Sequence, residues 1–155
     1  MAMRVSIAQF RLFTLALGTV APLTLGGLIY IALRPTSLLM FDWFEYTGLS
    51  PLVTDFRLIT HPLRSQLPNW AVYSFPQGAW VWFGTMTMQC IWQPLRSAAG
   101  HLWIAFSCLL AIGGEIAQGL KLVTGTFDLT DIVSSLLGYF AALPFFHCFR
   151  RHFTL

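Results

Sequence analysis

Residues 102–146 read LWIAFSCLLAIGGEIAQGLKLVTGTFDLTDIVSSLLGYFAALPFF, two almost wholly apolar runs joined by a short polar turn. A helix rises about 1.5 Å per residue, so each run is close to the ~20 residues that cover a hydrocarbon layer of ~30 Å. The connection VTGTFDLT is too short for anything but antiparallel neighbours. Three of the chain's six carboxylates, Glu115, Asp128 and Asp131, lie at the inner edges of these runs. Charge placed there marks either a membrane boundary or a site, because an unpaired charge in hydrocarbon is costly.

The rest of the chain has the same character. Of 155 residues 56% are hydrophobic and only 10% charged, far below the ~25% charged of an ordinary globular domain; the mean hydropathy is +0.67. The expected fold class is an all-α integral membrane protein: a four-helix transmembrane bundle with a long first loop containing an interfacial helix. Residues 1–155 read as a single membrane domain with spans at about 12–33, 78–94, 102–120 and 129–149 and a loop at 35–75. The first span follows Arg4 and Arg11 in the manner of a signal sequence. Its apolar run is too long for that role, and LRPTS offers no small-x-small cleavage site, so a retained anchor is expected.

Four spans put both termini on one side, with Arg4, Arg11, Arg96, Arg150 and Arg151, and leave Arg34, Arg57, Arg64 and Lys121 on the other. The excess of basic residues places both termini in the cytoplasm; a bacterial inner (cytoplasmic) membrane is the expected location. The net charge of +3 forms no patch, which argues against nucleic acid as a partner. In the loop, SLLMFDWFEY suits a helix lying among headgroups. Pro76 is placed to start the second span, and Trp70 and Trp80 are expected in the interfacial belt.

Glu115 and Gln118 stand three residues apart and share one helix face. Gly113 and Gly114 beside them, like Gly138 on the last helix, are expected to let a neighbouring backbone approach. Asp128 and Asp131 are spaced as a capping pair at the start of the last helix. Glu115 and Asp131 both lie near the turn and face one pocket, with Gln118, Thr126, Thr130, Ser134 and Ser135 adding polar groups. Such an acidic notch suits a cation, a polar headgroup or a partner's basic side chain. Cys90, Cys108 and Cys148 have no metal or disulfide spacing, so no metal and no cofactor is expected.

The pattern GEIAQ, then GTFDLTD, then Gly138 resembles the VanZ-like family of small membrane proteins. That family has E-x-x-Q on one helix, followed by an Arg-containing turn, Asp and Asn-x-x-Gly on the next. The resemblance covers the last third of the chain and carries over Glu115, Gln118, Asp131 and Gly138. It departs at Gly125 or Thr126, where the family's Arg would fall, and at Ser135, where its Asn would stand. The family's Asp-Lys and His signature is missing from the second span. What the resemblance implies is a four- or five-helix membrane protein; the best-known member is linked to teicoplanin resistance.

Signatures of an enzyme are poor, since no Ser-His-Asp, Cys-His or zinc spacing is present. The expected function is non-catalytic: binding of a membrane lipid headgroup or a partner protein in the acidic pocket between the last two helices, as part of a homo-oligomer or a larger membrane complex. A carboxylate-dependent enzyme acting on a lipid or cell-envelope substrate, and a small ion channel or sensor component, are the alternatives.

Overall fold

The structure, a computed structural model, describes residues 7–92 and 97–153, with side chains described between residues 16 and 145 outside the 93–96 gap and Leu17. The described residues are all-helical. Four long helices, α1 (Ile7–Leu33), α5 (Phe75–Trp92), α6 (Ala98–Gly119) and α7 (Leu129–Phe153), are accompanied by three short ones in the first loop, α2 (Leu39–Tyr46), α3 (Ser50–Thr60) and α4 (Asn69–Tyr73). Helix α6 is long and apolar enough to cross a membrane; the apolar stretches Gly18–Leu33 and Leu129–Phe145 within α1 and α7 are shorter. Arg4 and Arg96, which entered the charge count, lie outside the described residues, as do the side chains of Arg11, Cys148, Arg150 and Arg151.

The helix ends follow local chemistry. Ser97 opens α6 by accepting from the Gly100 N–H at 3.0 Å, which satisfies one of the four amides left free at a helix start. Pro76 is the second residue of α5, where a missing N–H costs nothing. Helix α6 ends with Lys121 at φ 59°. The Lys121 and Leu122 amides turn back to the Gln118 and Ala117 carbonyls, both at 2.9 Å, the closing pattern that usually places glycine at this position.

The 35–75 loop is more ordered than one interfacial helix. Besides α2 in the expected place, Pro51 in the first turn of α3 starts a second helix, and a 3-10 turn, His61–Ser65, leads on to α4. Arg57 holds this assembly to the long helices. Its Nη1 donates to the Ile31 carbonyl at the end of α1 at 2.6 Å, and its guanidinium lies 5.0 Å from the Phe41 ring of α2.

Helix α5 is the axis of the fold. It packs along α1, α6 and α7, α6 and α7 meet each other less, and α1 scarcely meets either. Small residues allow each approach. A Cβ on Gly26 would lie 3.2 Å from Pro76 Cα, and one on Gly84 would meet the Ser107 hydroxyl. At the tightest crossing, a Cβ on Gly138 would run into the Gly78 carbonyl oxygen, with its carbon at 3.0 Å. Polar bonds tie the same contacts: Trp82 Nε1 donates to the Gly18 carbonyl at 2.7 Å and Gln89 Nε2 to the Ala142 carbonyl at 3.2 Å.

Gly113 and Gly114 differ from expectation, because nothing lies within 4 Å of where their Cβ atoms would be. The side of α6 that packs in this chain carries Ile104, Ser107, Cys108 and Glu115; Gly113 faces away from it, and Gly114, seven residues after Ser107, opens on a cavity rather than on a neighbouring backbone.

Gly138→Ala is therefore expected to destabilise by about 1–3 kcal/mol through overpacking. Gly113→Ala should be neutral or stabilising by up to ~1 kcal/mol through helix propensity. Thermal unfolding in mild detergent, followed by circular dichroism, reads both; equal behaviour of the two variants would contradict the close α5–α7 crossing.

Candidate functional site

The α6–α7 turn returns the chain to Glu115. Phe127 packs on Gly119, where a Cβ would meet its ring at 3.3 Å. Gly125, at φ 140°, lies beneath the Gln118 amide, whose Cδ is 2.6 Å from the position of a Cβ there. Only glycine serves both that conformation and that approach.

The turn delivers Asp128 to the start of α7, where its Oδ1 accepts from the Thr130 amide at 2.8 Å and the Thr130 hydroxyl at 2.7 Å. This is an N-cap. A capping pair would have the carboxylate of Asp131 accept from the Asp128 N–H. Instead Glu115 does so from the neighbouring helix, with Oε2 at 3.1 Å. Glu115 is only 3% exposed, and the free amide at the positive end of α7 is a partner that offsets its burial.

The other oxygen of Glu115 turns towards α5. Gln77 Nε2 lies 3.5 Å from Glu115 Oε1 and 3.4 Å from Ser135 Oγ, while Ser135 donates to the Asp131 carbonyl at 2.8 Å. On the opposite side of the α5–α7 crossing, Ser134 donates to the Ser74 carbonyl at 2.7 Å and the Ser74 and Thr130 hydroxyls bond at 2.8 Å. The polar residues around the turn thus divide. Glu115, Gln77 and Ser135 form one group, Ser74, Thr130 and Ser134 form another, and Thr126 stays exposed.

A pocket of ≈ 350 Å³ adjoins the first group, between α1, α5 and α6, where Glu115, Gln118 and Gln77 share the walls with Arg34, Tyr30 and Tyr73. The pocket expected from sequence lay between the last two helices and was acidic; both points are corrected. The cavity sits on the α1 side of α6, and a base reaches it from the end of α1. The Arg34 guanidinium is 5.1 Å from the Tyr30 ring and 5.0 Å from the Tyr73 ring, and its Nε is buried with no hydrogen-bond partner among the described residues. Asp131 lies within electrostatic reach of Arg34, Glu115 and Asp128. Its Oδ1 is also buried without a partner.

Of the residues singled out in the sequence, Glu115, Gln118 and Gly114 line this pocket. Ser135 reaches it through Gln77; the Asp131 carboxyl is not on its walls and lies beside Ser74, while Asp128 serves the helix start. Trp80 is on the pocket wall and Trp70 on a separate apolar groove of ≈ 850 Å³ between α1, α5 and α7. Sequence reading missed Arg34, Tyr30, Tyr73 and Gln77. The one signal for Gln77 was a lone amide at the start of an apolar helix. Arg34 had the ordinary look of a flanking residue. Among the described residues no group of three His, Cys, Asp or Glu side chains could hold a metal ion. No protein-family model, no curated protein and no solved structure matches this chain.

The Asp128 carboxyl is held below its ordinary value by the Thr130 side chain and then by the Thr130 backbone amide. A lowered folded value means that the carboxylate stabilises the fold above the ordinary aspartate range, and that this is lost as pH falls through the lower value. Asp128→Ala is expected to cost about 1 kcal/mol at neutral pH. Asp128→Asn should cost less, and its deficit should shrink as pH falls below the ordinary aspartate value of ~4. Denaturant unfolding at pH 7 and pH 3 checks this; a deficit unchanged at acid pH would remove the charge from the account.

Proposed function

We propose that this chain is an integral membrane protein of the VanZ-like type, with α1, α5, α6 and α7 as four transmembrane helices and both termini on the cytoplasmic side of a bacterial inner membrane. It acts without catalysis, holding a lipid headgroup in the pocket between α1, α5 and α6, as a homo-oligomer or a subunit of a larger membrane complex. The observation that carries this reading is inside-out polarity. Thr85, Gln89, Ser107, Ser135 and Glu115 are buried, whereas Leu102, Leu109, Leu110, Leu137 and Phe140 are more than half exposed. Water does not favour that distribution, and hydrocarbon does.

The loop supports the same placement. Trp43, Leu52, Leu58 and Ile59 of α2 and α3 are exposed, as is Trp70, and short helices with such faces suit the headgroup zone. A lipid is favoured over a partner's side chain because Leu110 belongs both to the pocket wall and to the exposed apolar face of α6. A ligand there can be polar at one end and apolar at the other.

Extraction in mild detergent followed by native mass spectrometry tests this. The protein is expected to resist an alkaline wash of the membranes and to carry at least one bound amphiphile. Gln118→Ala should lower that occupancy several-fold while leaving the helical content intact. Release by the wash would overturn the membrane placement. A fully folded protein that carries a protein partner and no lipid would replace the headgroup with a partner.

A further inference from the structure

We propose that the pocket between α1, α5 and α6 recognises a zwitterionic headgroup, a phosphodiester seated on Arg34 whose ammonium turns to Glu115; this rests on the lipid-binding reading above. Arg34 is built to hold an oxyanion. Tyr30 and Tyr73 flank its guanidinium at 5.1 and 5.0 Å, which fixes the plane of the fork and leaves its N–H edge to a ligand. Its Nε is buried and makes no hydrogen bond among the described residues. A buried cationic donor in that state is costly until an acceptor reaches it, and a phosphate matches the fork. Asp131 does not fill that role: its Oδ1 is buried with no hydrogen-bond partner among the described residues, and its carboxyl lies beside Ser74, with Arg34 acting on it only through its field.

Glu115 supplies the opposite end. One oxygen is committed to the Asp128 amide at 3.1 Å, and the other has only the Gln77 amide at 3.5 Å, so accepting capacity remains on the pocket wall. Charge decides the class of headgroup. On the walls of the pocket one carboxylate, Glu115, stands against one guanidinium, Arg34; Asp131 lies in the field of both, and Arg64, 5.6 Å from the Tyr73 ring, is not on the walls. A bare anion would gain from Arg34 and be opposed by the acids; a headgroup that brings its own cation gains from both. A cavity of ≈ 350 Å³ is at the small end of ligand pockets, suited to a headgroup with its chains left outside along Leu110.

Nanodiscs with fixed total lipid, containing phosphatidylethanolamine, phosphatidylcholine, phosphatidylglycerol or diacylglycerol as the minor component, separate the contributions when bound lipid is counted by native mass spectrometry. Ethanolamine phospholipid is expected to be retained about tenfold over diacylglycerol and severalfold over phosphatidylglycerol and the choline lipid, whose cation has no N–H. Arg34→Gln should erase the preference for phospholipid over diacylglycerol, and Arg34→Lys should restore part of it. Glu115→Gln should erase the preference for ethanolamine over glycerol while keeping the need for phosphate. Circular dichroism and gel filtration confirm that each variant is folded; if Arg34→Gln is not, the wild-type ranking of the four lipids decides alone. Diacylglycerol binding as well as the phospholipids, or phosphatidylglycerol binding best, would overturn the inference and leave lipid binding intact. Displacement of the lipid by millimolar inorganic phosphate would make this a site for free phosphate and overturn it as well. Absence of any retained lipid would remove the parent reading too.

Discussion

The contact between Gly78 and Gly138 sets the positions of everything functional in this molecule. A side chain at either place would hold α5 and α7 apart, and the two sets of polar bonds flanking that contact are short-ranged. On one side Gln77 bridges Glu115 and Ser135; on the other Ser74 meets Thr130 and Ser134. Separation of the helices by the width of a methyl group would break both. In an apolar setting, where packing replaces the hydrophobic effect as the force between helices, a seam of small residues with hydroxyl and amide bonds beside it is an effective way to fix a crossing.

Glu115 connects this seam to the pocket. One oxygen closes the start of α7 and the other faces α5, so a single buried carboxylate acts as a structural cap and as part of a polar wall. Removing it would leave the Asp128 amide without its acceptor, which makes Glu115→Ala a poor probe of binding and explains why the conservative Glu115→Gln is the informative change. Arg34 carries no comparable structural bond through its Nε among the described residues. Its two tyrosines hold it in place without using its donors.

Much of the architecture was legible in the sequence because it is periodic or local. The four long helices, the helix at Leu39–Tyr46, the role of Pro76 and the cap at Asp128 all follow from composition or from residues within a turn of one another. Helix α3 was not legible, because its alternation of Thr54, Asp55 and Arg57 with apolar residues in eleven positions carries little signal without its partner α1. The pocket was half legible. Glu115 and Gln118 share a helix, so spacing brought them together, whereas Arg34 stands some eighty residues upstream and meets them only because α5 packs between its own helix and theirs. Gly113 and Gly114 misled for a related reason: small residues permit a close approach, and only the packing of the other helices decides whether one occurs; Gly113 faces away from them and Gly114 opens on the pocket.

Helix α1 is attached to the long helices almost solely through α5, with the polar pocket along one flank and the larger apolar groove along the other. Pro22, on the groove side, removes one backbone hydrogen bond from its middle. The two cavities therefore have one wall in common: whatever fills either of them packs against the same helix, whose C-terminal end Arg57 pins through the Ile31 carbonyl.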